Sequence, residues 1–363
     1  MTTLLVKSQL NLTSSWQAPY SLLPNGPLFS RWLPDGEKDA ICLLRSESLC
    51  VKVWFERLGF ERDGFIRFDS KRREIDPEAL SRQFPVDGGP MMAQLEWKNF
   101  SEADTIRNAA QGDEGLVRLA RQIADDLLYP SLSRFADILR TNYGQYWLVP
   151  IKKWDSRTEN LGSYCSHLNL SWSLDNGQTW QELLPEKPVS TFRVAVGARD
   201  RNISFQDWQE LQRAVEEGYH PSVAAQITSD AHSLLDGGDL KHALIEGVTA
   251  LEVAIKQFID RKTKAGNVPG EELKAFWDLP RKTQLAALAV NMAGLDPNDL
   301  ALALQAIEMR NDVVHEGYVP PPDTQGMVAA LLRVTSTFLQ GPPFKFPSIR
   351  QAKHLSASSS SKL

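Results

Sequence analysis

Cysteine is scarce in this chain: three in 363 residues, Cys42, Cys50 and Cys165, with no Cys-x-x-Cys pair. That excludes a disulfide framework and a cysteine-based zinc site, and it fits a reducing compartment. Long apolar runs are missing too. The longest, from Leu285 to Leu295, is too short to span a bilayer, and the segment from Met1 to Ser8 lacks the apolar core of a signal peptide. The six histidines show no metal-ligand spacing with one another or with cysteine. A glycine-rich phosphate loop and a Gly-x-Ser-x-Gly element are both absent. These gaps argue against a membrane protein, a metalloenzyme, a P-loop nucleotidase and a serine hydrolase. A cytoplasmic chain with no metal and no other cofactor is the expectation.

What is present describes an ordinary globular protein, with 42% hydrophobic and 23% charged residues and enough length for two domains. The net charge of −5 is unevenly spread. Between Ser204 and Gln340 there are 19 acidic and 11 basic residues, whereas Gly341–Leu363 has four basic residues and no acidic one. Affinity for nucleic acid comes largely from neutralising phosphates. An acidic helical domain must therefore grip a polyanion through a local patch, a groove between two copies or another part of the chain.

Patterning divides the chain near residue 200. Residues 1–200 mix strand-like runs with turns and read as an α+β domain. Leu49–Phe55 and Phe65–Phe68 are strand candidates, with Arg62-Asp63-Gly64 between them, and Asn25-Gly26-Pro27 and Gly88-Gly89-Pro90 punctuate loops. Apolar residues at 116, 119, 120, 123, 124 and 127 predict a helix over Gly115–Leu128, and Pro130 predicts the start of another. Further strands are expected at Tyr146–Ile151, Leu168–Leu174, Gln178–Leu183 and Thr191–Val196. Ser173-Leu174-Asp175-Asn176-Gly177-Gln178-Thr179-Trp180 resembles the Asp-box hairpin of sialidase-type propellers. Its Asn-Gly turn and short polar side chains imply a stable hairpin, and a single copy implies no propeller and no glycan chemistry.

From Ser204 to about residue 340 the sequence reads as helix after helix. Ser204 N-caps one that Gly218 closes, Pro221 opens the next, and Asp239 caps a long helix to about Lys264 with Leu244, Val248, Leu251, Ile255 and Phe258 on one stripe. Shorter helices are expected at Glu271–Trp277 and Arg281–Ala293. Asp296-Pro297 starts another that Gly317 ends, and the last runs about Thr324–Leu339. An all-α up-down bundle over 204–340 accommodates these, with Leu300, Leu304 and Ile307 joining its core. The Ser-rich basic tail, 341–363, is expected to be disordered. Its final Ser361-Lys362-Leu363 matches a peroxisomal address that we read as coincidental.

The most informative run is Arg310-Asn311-Asp312-Val313-Val314-His315, near the end of the penultimate helix. Asn311 and His315 are four apart and share a face. Asn311 is placed on the apolar stripe of Leu300, Leu304, Ile307 and Val314, with Arg310 on its flank. The run resembles the Arg-x4-6-His motif of the HEPN superfamily, helical bundles that include metal-independent ribonucleases. A second match, Arg213 to His220, is set aside because Ala214 follows the arginine and Gly218 breaks the helix.

That resemblance implies Arg310, Asn311 and His315 as catalytic residues, with Glu252 on the long helix as the supporting acid and Glu246 as the alternative. It also implies a homodimer whose interface builds the site, with RNA as the substrate. Chemically, a ribose 2′-hydroxyl attacks the adjacent phosphate, and an imidazole, whose ordinary pKa is about 6.5, can act as base or acid. An arginine fork stabilises the phosphate charge. The products would be a 2′,3′-cyclic phosphate and a 5′-hydroxyl. In this reading residues 1–200 form a sensor or regulatory domain that binds a partner or ligand, as in toxin or antiphage-defence effectors. The competing reading is a non-catalytic RNA-binding or protein-interaction module of the same fold.

Overall fold

The computed structural model describes residues 2–10, 28–29, 34–55, 86–87, 91–108, 113–146, 148, 150–157, 160–184, 203–265, 270–290 and 295–341. The chain forms two compact units, Met1–His220 and Pro221–Leu363.

The first unit is built on an antiparallel sheet. Strands β1 (Leu4–Leu10), β3 (Ile41–Arg45), β4 (Leu49–Phe55), β6 (Met91–Trp97), β7 (Ser171–Ser173) and β8 (Gln181–Glu182) lie in the order β3-β4-β6-β1-β7-β8. Two short strands, β2 (Leu28–Phe29) and β5 (Val86–Asp87), pair separately. Alternation sets one face inward: Leu4, Val6, Ser8 and Leu10 of β1 are buried, as are Met91, Ala93 and Leu95 of β6. The helical residues Leu119, Ile123, Leu128, Leu132, Phe135 and Leu139 belong to the same apolar core.

Helices α1 (Ala103–Asn108), α2 (Glu114–Arg121), α3 (Tyr129–Asn142), α4 (Leu161–His167) and α5 (Phe205–Glu216) complete the unit. Pro130 does not open a separate helix. Residues 114–142 run on without a break, joined by a π-helical stretch, Gln122–Leu128, in which the Tyr129 N–H donates to the Ala124 carbonyl five residues back. Widening the ladder just before the proline lets the chain pass a residue that has no N–H to give.

The Asp-box resemblance describes the local geometry of residues 173–180. Asn176 and Gly177 both have positive φ, 57° and 83°, within the loop that joins β7 to β8. Asp175 Oδ1 accepts from the backbone N–H groups of Gln178 and Thr179, each at 3.0 Å, and both the Ser173 and Thr179 hydroxyls donate to the carboxylate. These bonds, Ser173 first, hold its pKa well below the usual carboxylate range. Trp180 donates to the Gly177 carbonyl at 3.0 Å. The loop takes up Leu174 and Gln178–Trp180, and the end of α4 with the turn at Asn169 takes up Leu168–Leu170, so the expected strands shrink to Ser171–Ser173 and Gln181–Glu182.

Three other expectations are corrected. The described part of Tyr146–Ile151 is turn rather than strand, with Leu148 donating back to the Gln145 carbonyl. The helix opened by Ser204 packs in the first unit, not in the bundle. Buried Trp208 stands edge-on to Phe55 of β4 at 6.0 Å, and Arg134 donates to the Val215 carbonyl at 3.1 Å. The compact units accordingly divide after His220 instead of near residue 204. The strand candidates at Phe65–Phe68 and Thr191–Val196, the turns at 25–27, 62–64 and 88–90, and the tail from 342 lie outside the described residues.

The second unit is helical among the described residues: α6 (Val223–Asp236), α7 (Leu240–Lys264), α8 (Gly270–Trp277), α9 (Arg281–Val290), α10 (Pro297–Glu316) and α11 (Thr324–Gln340). Ser222 caps α6, and Asp239 caps α7 by accepting from the His242 N–H. Leu244, Val248, Leu251, Ile255 and Phe258 are buried as the stripe predicts. Phe258 and Phe338 of α11 meet edge to face at 5.5 Å. Gly247 allows α11 to come close, since a Cβ there would lie 3.0 Å from the Leu331 side chain. Leu300 and Leu304 are only half-buried at the margin of this core, whereas Ala303, Ala306, Ile307 and Val313 form the buried seam of α10.

Arg333 of α11 grips Asp299 of α10 with two hydrogen bonds, 2.6 and 2.9 Å. Arg333 thereby holds the Asp299 carboxyl below its ordinary pKa. A depressed carboxylate stabilises the fold above its ordinary pKa of about 3.9 and loses that contribution as pH falls through the lower folded value. The pair is partly exposed, so Asp299→Asn should cost a few tenths to about 1 kcal/mol at pH 7. Thermal unfolding of both proteins checks this: the gap should narrow steadily as pH falls below the ordinary carboxylate value, and a gap that does not narrow would remove the ion pair as its cause.

Candidate functional site

The Arg310–His315 run lies in the last two turns of α10, and both ends of that helix are fixed locally. At the start, Asp296 accepts from the Asn298 and Asp299 N–H groups at 2.7 and 3.2 Å, and Pro297 takes the first helical position. At the finish, Gly317 adopts φ 70°, and both Gly317 and Tyr318 donate to the Asp312 carbonyl. The following connection is anchored by buried Pro320 and by buried Thr324, whose hydroxyl donates to Met309 Sδ at 3.3 Å. The motif helix is thus tied down immediately beside Arg310.

Arg310 is half-buried, and it occupies the seam position between Ile307 and Val313. Asn311 faces solvent. This reverses the placement read from the sequence, which put Asn311 on the apolar stripe and Arg310 beside it. The helix follows the spacing Ala303, Ala306, Arg310, Val313, not the one through Asn311 and Val314. An arginine can occupy such a position because its methylene stem packs on apolar neighbours while the guanidinium reaches outward.

The guanidinium is incompletely paired. One terminal nitrogen donates to Asn311 Oδ1 at 3.3 Å, while Nε is buried and has no hydrogen-bond partner among the described residues. A buried donor without a partner costs of order 1–3 kcal/mol. His315 is exposed, one turn beyond Asn311, with no hydrogen bond or ion pair among the described residues. The three motif side chains therefore lie on one helix end, with an exposed imidazole and a half-buried arginine whose Nε is closed off from solvent.

Glu252 does not join them. It pairs with Arg281 at 3.5 Å, and Arg281 in turn donates to Gln284 and lies over the Trp277 ring. Among the described residues no hydrogen bond or ion pair links Glu252 to Arg310 or His315. Glu246, the alternative, is half-buried on α7. Arg213 and His220 belong to the other unit, separated by Gly218 at φ 71°. No group of three metal-ligating side chains occurs among the described residues.

The neighbourhood of the motif holds two features beyond the sequence reading. Val314, Tyr318 and Val319 are 46%, 46% and 77% exposed, an apolar patch at the same helix end as His315. The signal available in the sequence was the run Val313-Val314 followed by Tyr318-Val319, more apolar residues than one narrow helix seam takes in. Asp312 and Glu316 are exposed as well, so two carboxylates flank Arg310 and His315. No family model matches this chain, and no curated protein or solved structure is similar to it.

If Nε of Arg310 serves no partner within the fold, an apolar side chain of similar length should replace it without loss. Arg310→Met is expected to hold or raise the melting temperature, because the stem is retained and the unpaired donor is removed. A fall of several degrees in a thermal melt would show that the guanidinium supports the fold instead.

Proposed function

We propose that this chain is a metal-independent endoribonuclease of HEPN type, with Arg310, Asn311 and His315 as its catalytic residues. The observation that carries the reading is the placement of Arg310, whose guanidinium makes one side-chain bond, to Asn311, at a helix end where an exposed imidazole also sits. A phosphate is the natural complement of such a guanidinium, because its oxygens accept two parallel N–H bonds. Asn311 steadies the guanidinium through its side-chain carbonyl.

In the proposed reaction an RNA 2′-hydroxyl attacks the neighbouring phosphorus as a histidine removes its proton. Negative charge grows on the phosphoryl oxygens, where Arg310 stabilises it. The 5′-oxygen then leaves with a proton from a second acid. One motif supplies a single imidazole, so the pair of proton transfers calls for two chains related by a two-fold axis. The exposed Val314, Tyr318 and Val319 supply apolar surface for that pairing next to His315. Glu252, engaged with Arg281, is left out of the chemistry. Residues 1–200 would restrain or direct the nuclease in response to a ligand or partner, as in a toxin or defence effector working in the cytoplasm.

The acidic balance of residues 204–340 favours a second reading, a module of the same kind that binds a partner and cuts nothing. Mutation separates the two. His315→Ala and Arg310→Met should each abolish RNA cleavage measured in EDTA without lowering the melting temperature or changing the oligomeric state. An excess of His315→Ala chains should poison wild-type activity if each site draws on both chains. Wild-type cleavage rates from His315→Ala would hand the case to the binding module.

A further inference from the structure

Two of the three cysteines meet on the outer face of the first unit's sheet. Cys42 of β3 and Cys50 of β4 are eight residues apart in sequence, and their sulfurs lie 3.8 Å apart. The register explains the meeting. Ile41 pairs with Val53 and Cys42 with Lys52, then a bulge shifts the ladder so that Leu44 faces Val51 and Arg45 faces Cys50. Cys42, Lys52, Cys50 and Arg45 thereby share a face that is not the buried one, since Ile41, Leu43, Val51 and Val53 are the core residues of these strands. Both thiols are half-exposed, while Cys165 is fully buried.

Two basic side chains, Arg45 and Lys52, lie on the same face as the two sulfurs. The Cys42 thiol donates to the Leu44 carbonyl at 3.3 Å, and the nearness of Cys42, above all, holds the Arg45 guanidinium above its ordinary pKa. Burial and then Cys42 push the Cys50 thiol up, against the opposing pull of Lys52 and Arg45. Two cations beside two sulfurs stabilise a thiolate as it forms, and they would also attract a carboxylate-bearing reagent. A bond needs the sulfurs to close from 3.8 Å to about 2.05 Å. The closing motion falls on β3, the edge strand of the sheet, paired among the described residues with β4 alone and already bulged between the two pairing segments.

We propose that Cys42 and Cys50 form a reversible dithiol modification site, converted to an intrachain disulfide by an anionic low-molecular-weight disulfide. One cysteine thiolate attacks a sulfur of the reagent, making a mixed disulfide and releasing one reagent thiolate, which is protonated. The other cysteine, deprotonated in turn, attacks the protein-side sulfur, closing the Cys42–Cys50 bond and releasing the second reagent thiol. Two protein thiols are oxidised, one reagent disulfide is reduced to two thiols, and no further co-reactant is needed. The product staples the edge strand to its neighbour across the bulge.

Equilibrating the native full-length chain in glutathione redox buffers, followed by thiol titration and peptide mapping, tests this. The expected result is loss of two of the three thiols with no glutathione retained, a mass lower by two hydrogens, and a linked Cys42–Cys50 peptide. Cys165 should stay reduced, and a thiol reductant should restore both others. In Cys50→Ser, Cys42 should instead keep a glutathione adduct, since the resolving thiol is gone. Persistence of both thiols under fully oxidising buffer, stable separate adducts on both, or a bond between chains would each overturn the proposal.

Discussion

Burial of α7 on two adjacent stripes is the constraint on which the second unit rests. One stripe carries the large residues Leu244, Val248, Leu251, Ile255 and Phe258, the other the small ones Ala243, Gly247, Ala250 and Ala254. Large side chains fill the core, and small ones let a neighbour approach closely, so the same helix drives burial and sets spacing. Leu331 and Leu332 of α11 lie against Gly247. From there the order passes outward: Arg333 of α11 holds Asp299 of α10, and Thr324 at the start of α11 holds Met309. Met309 precedes Arg310, so the candidate site inherits its position from a glycine one helix away.

Much of this was legible because helix signals are local. Asp296-Pro297 and Gly317 bracket α10, Asp239 starts α7, and the Leu49–Phe55 strand runs between the same residues in sequence and structure. What could not be read was tertiary. Ser204 caps a helix correctly, but nothing local says that Trp208 finds Phe55 instead of the bundle. On α10 two stripes compete, one through Leu300, Leu304 and Asn311, the other through Ala303, Ala306 and Arg310. Hydrophobicity favours the first, yet close packing selected the alanines. The Cys42–Cys50 contact was invisible for the same reason, since the bulge that aligns the two sulfurs is a property of strand pairing.

The electrostatics of the motif set the terms of the functional reading. Arg310 and His315 stand among Asp312 and Glu316, and the second unit has 15 acidic against 14 basic residues, so long-range attraction of RNA is not built into this helix end. Recognition here would depend on short-range bonds to a phosphate placed between two motifs, and on the apolar seal of Val314, Tyr318 and Val319 around them. Such a site would be strongly salt-sensitive in binding only if other basic surface takes part. The acidic surround also keeps the two-chain arrangement central, because a single motif has neither the charge nor the second proton-transfer group.

Analysis of the RNA ends left by the wild-type protein in EDTA tests the central claim most directly. Attack by the ribose 2′-hydroxyl, with histidine moving the protons, leaves a 2′,3′-cyclic phosphate on one fragment and a 5′-hydroxyl on the other. The account predicts those ends, formed without any divalent ion. Fragments bearing a 3′-hydroxyl and a 5′-phosphate, or cleavage that appears only when magnesium is returned, would contradict it.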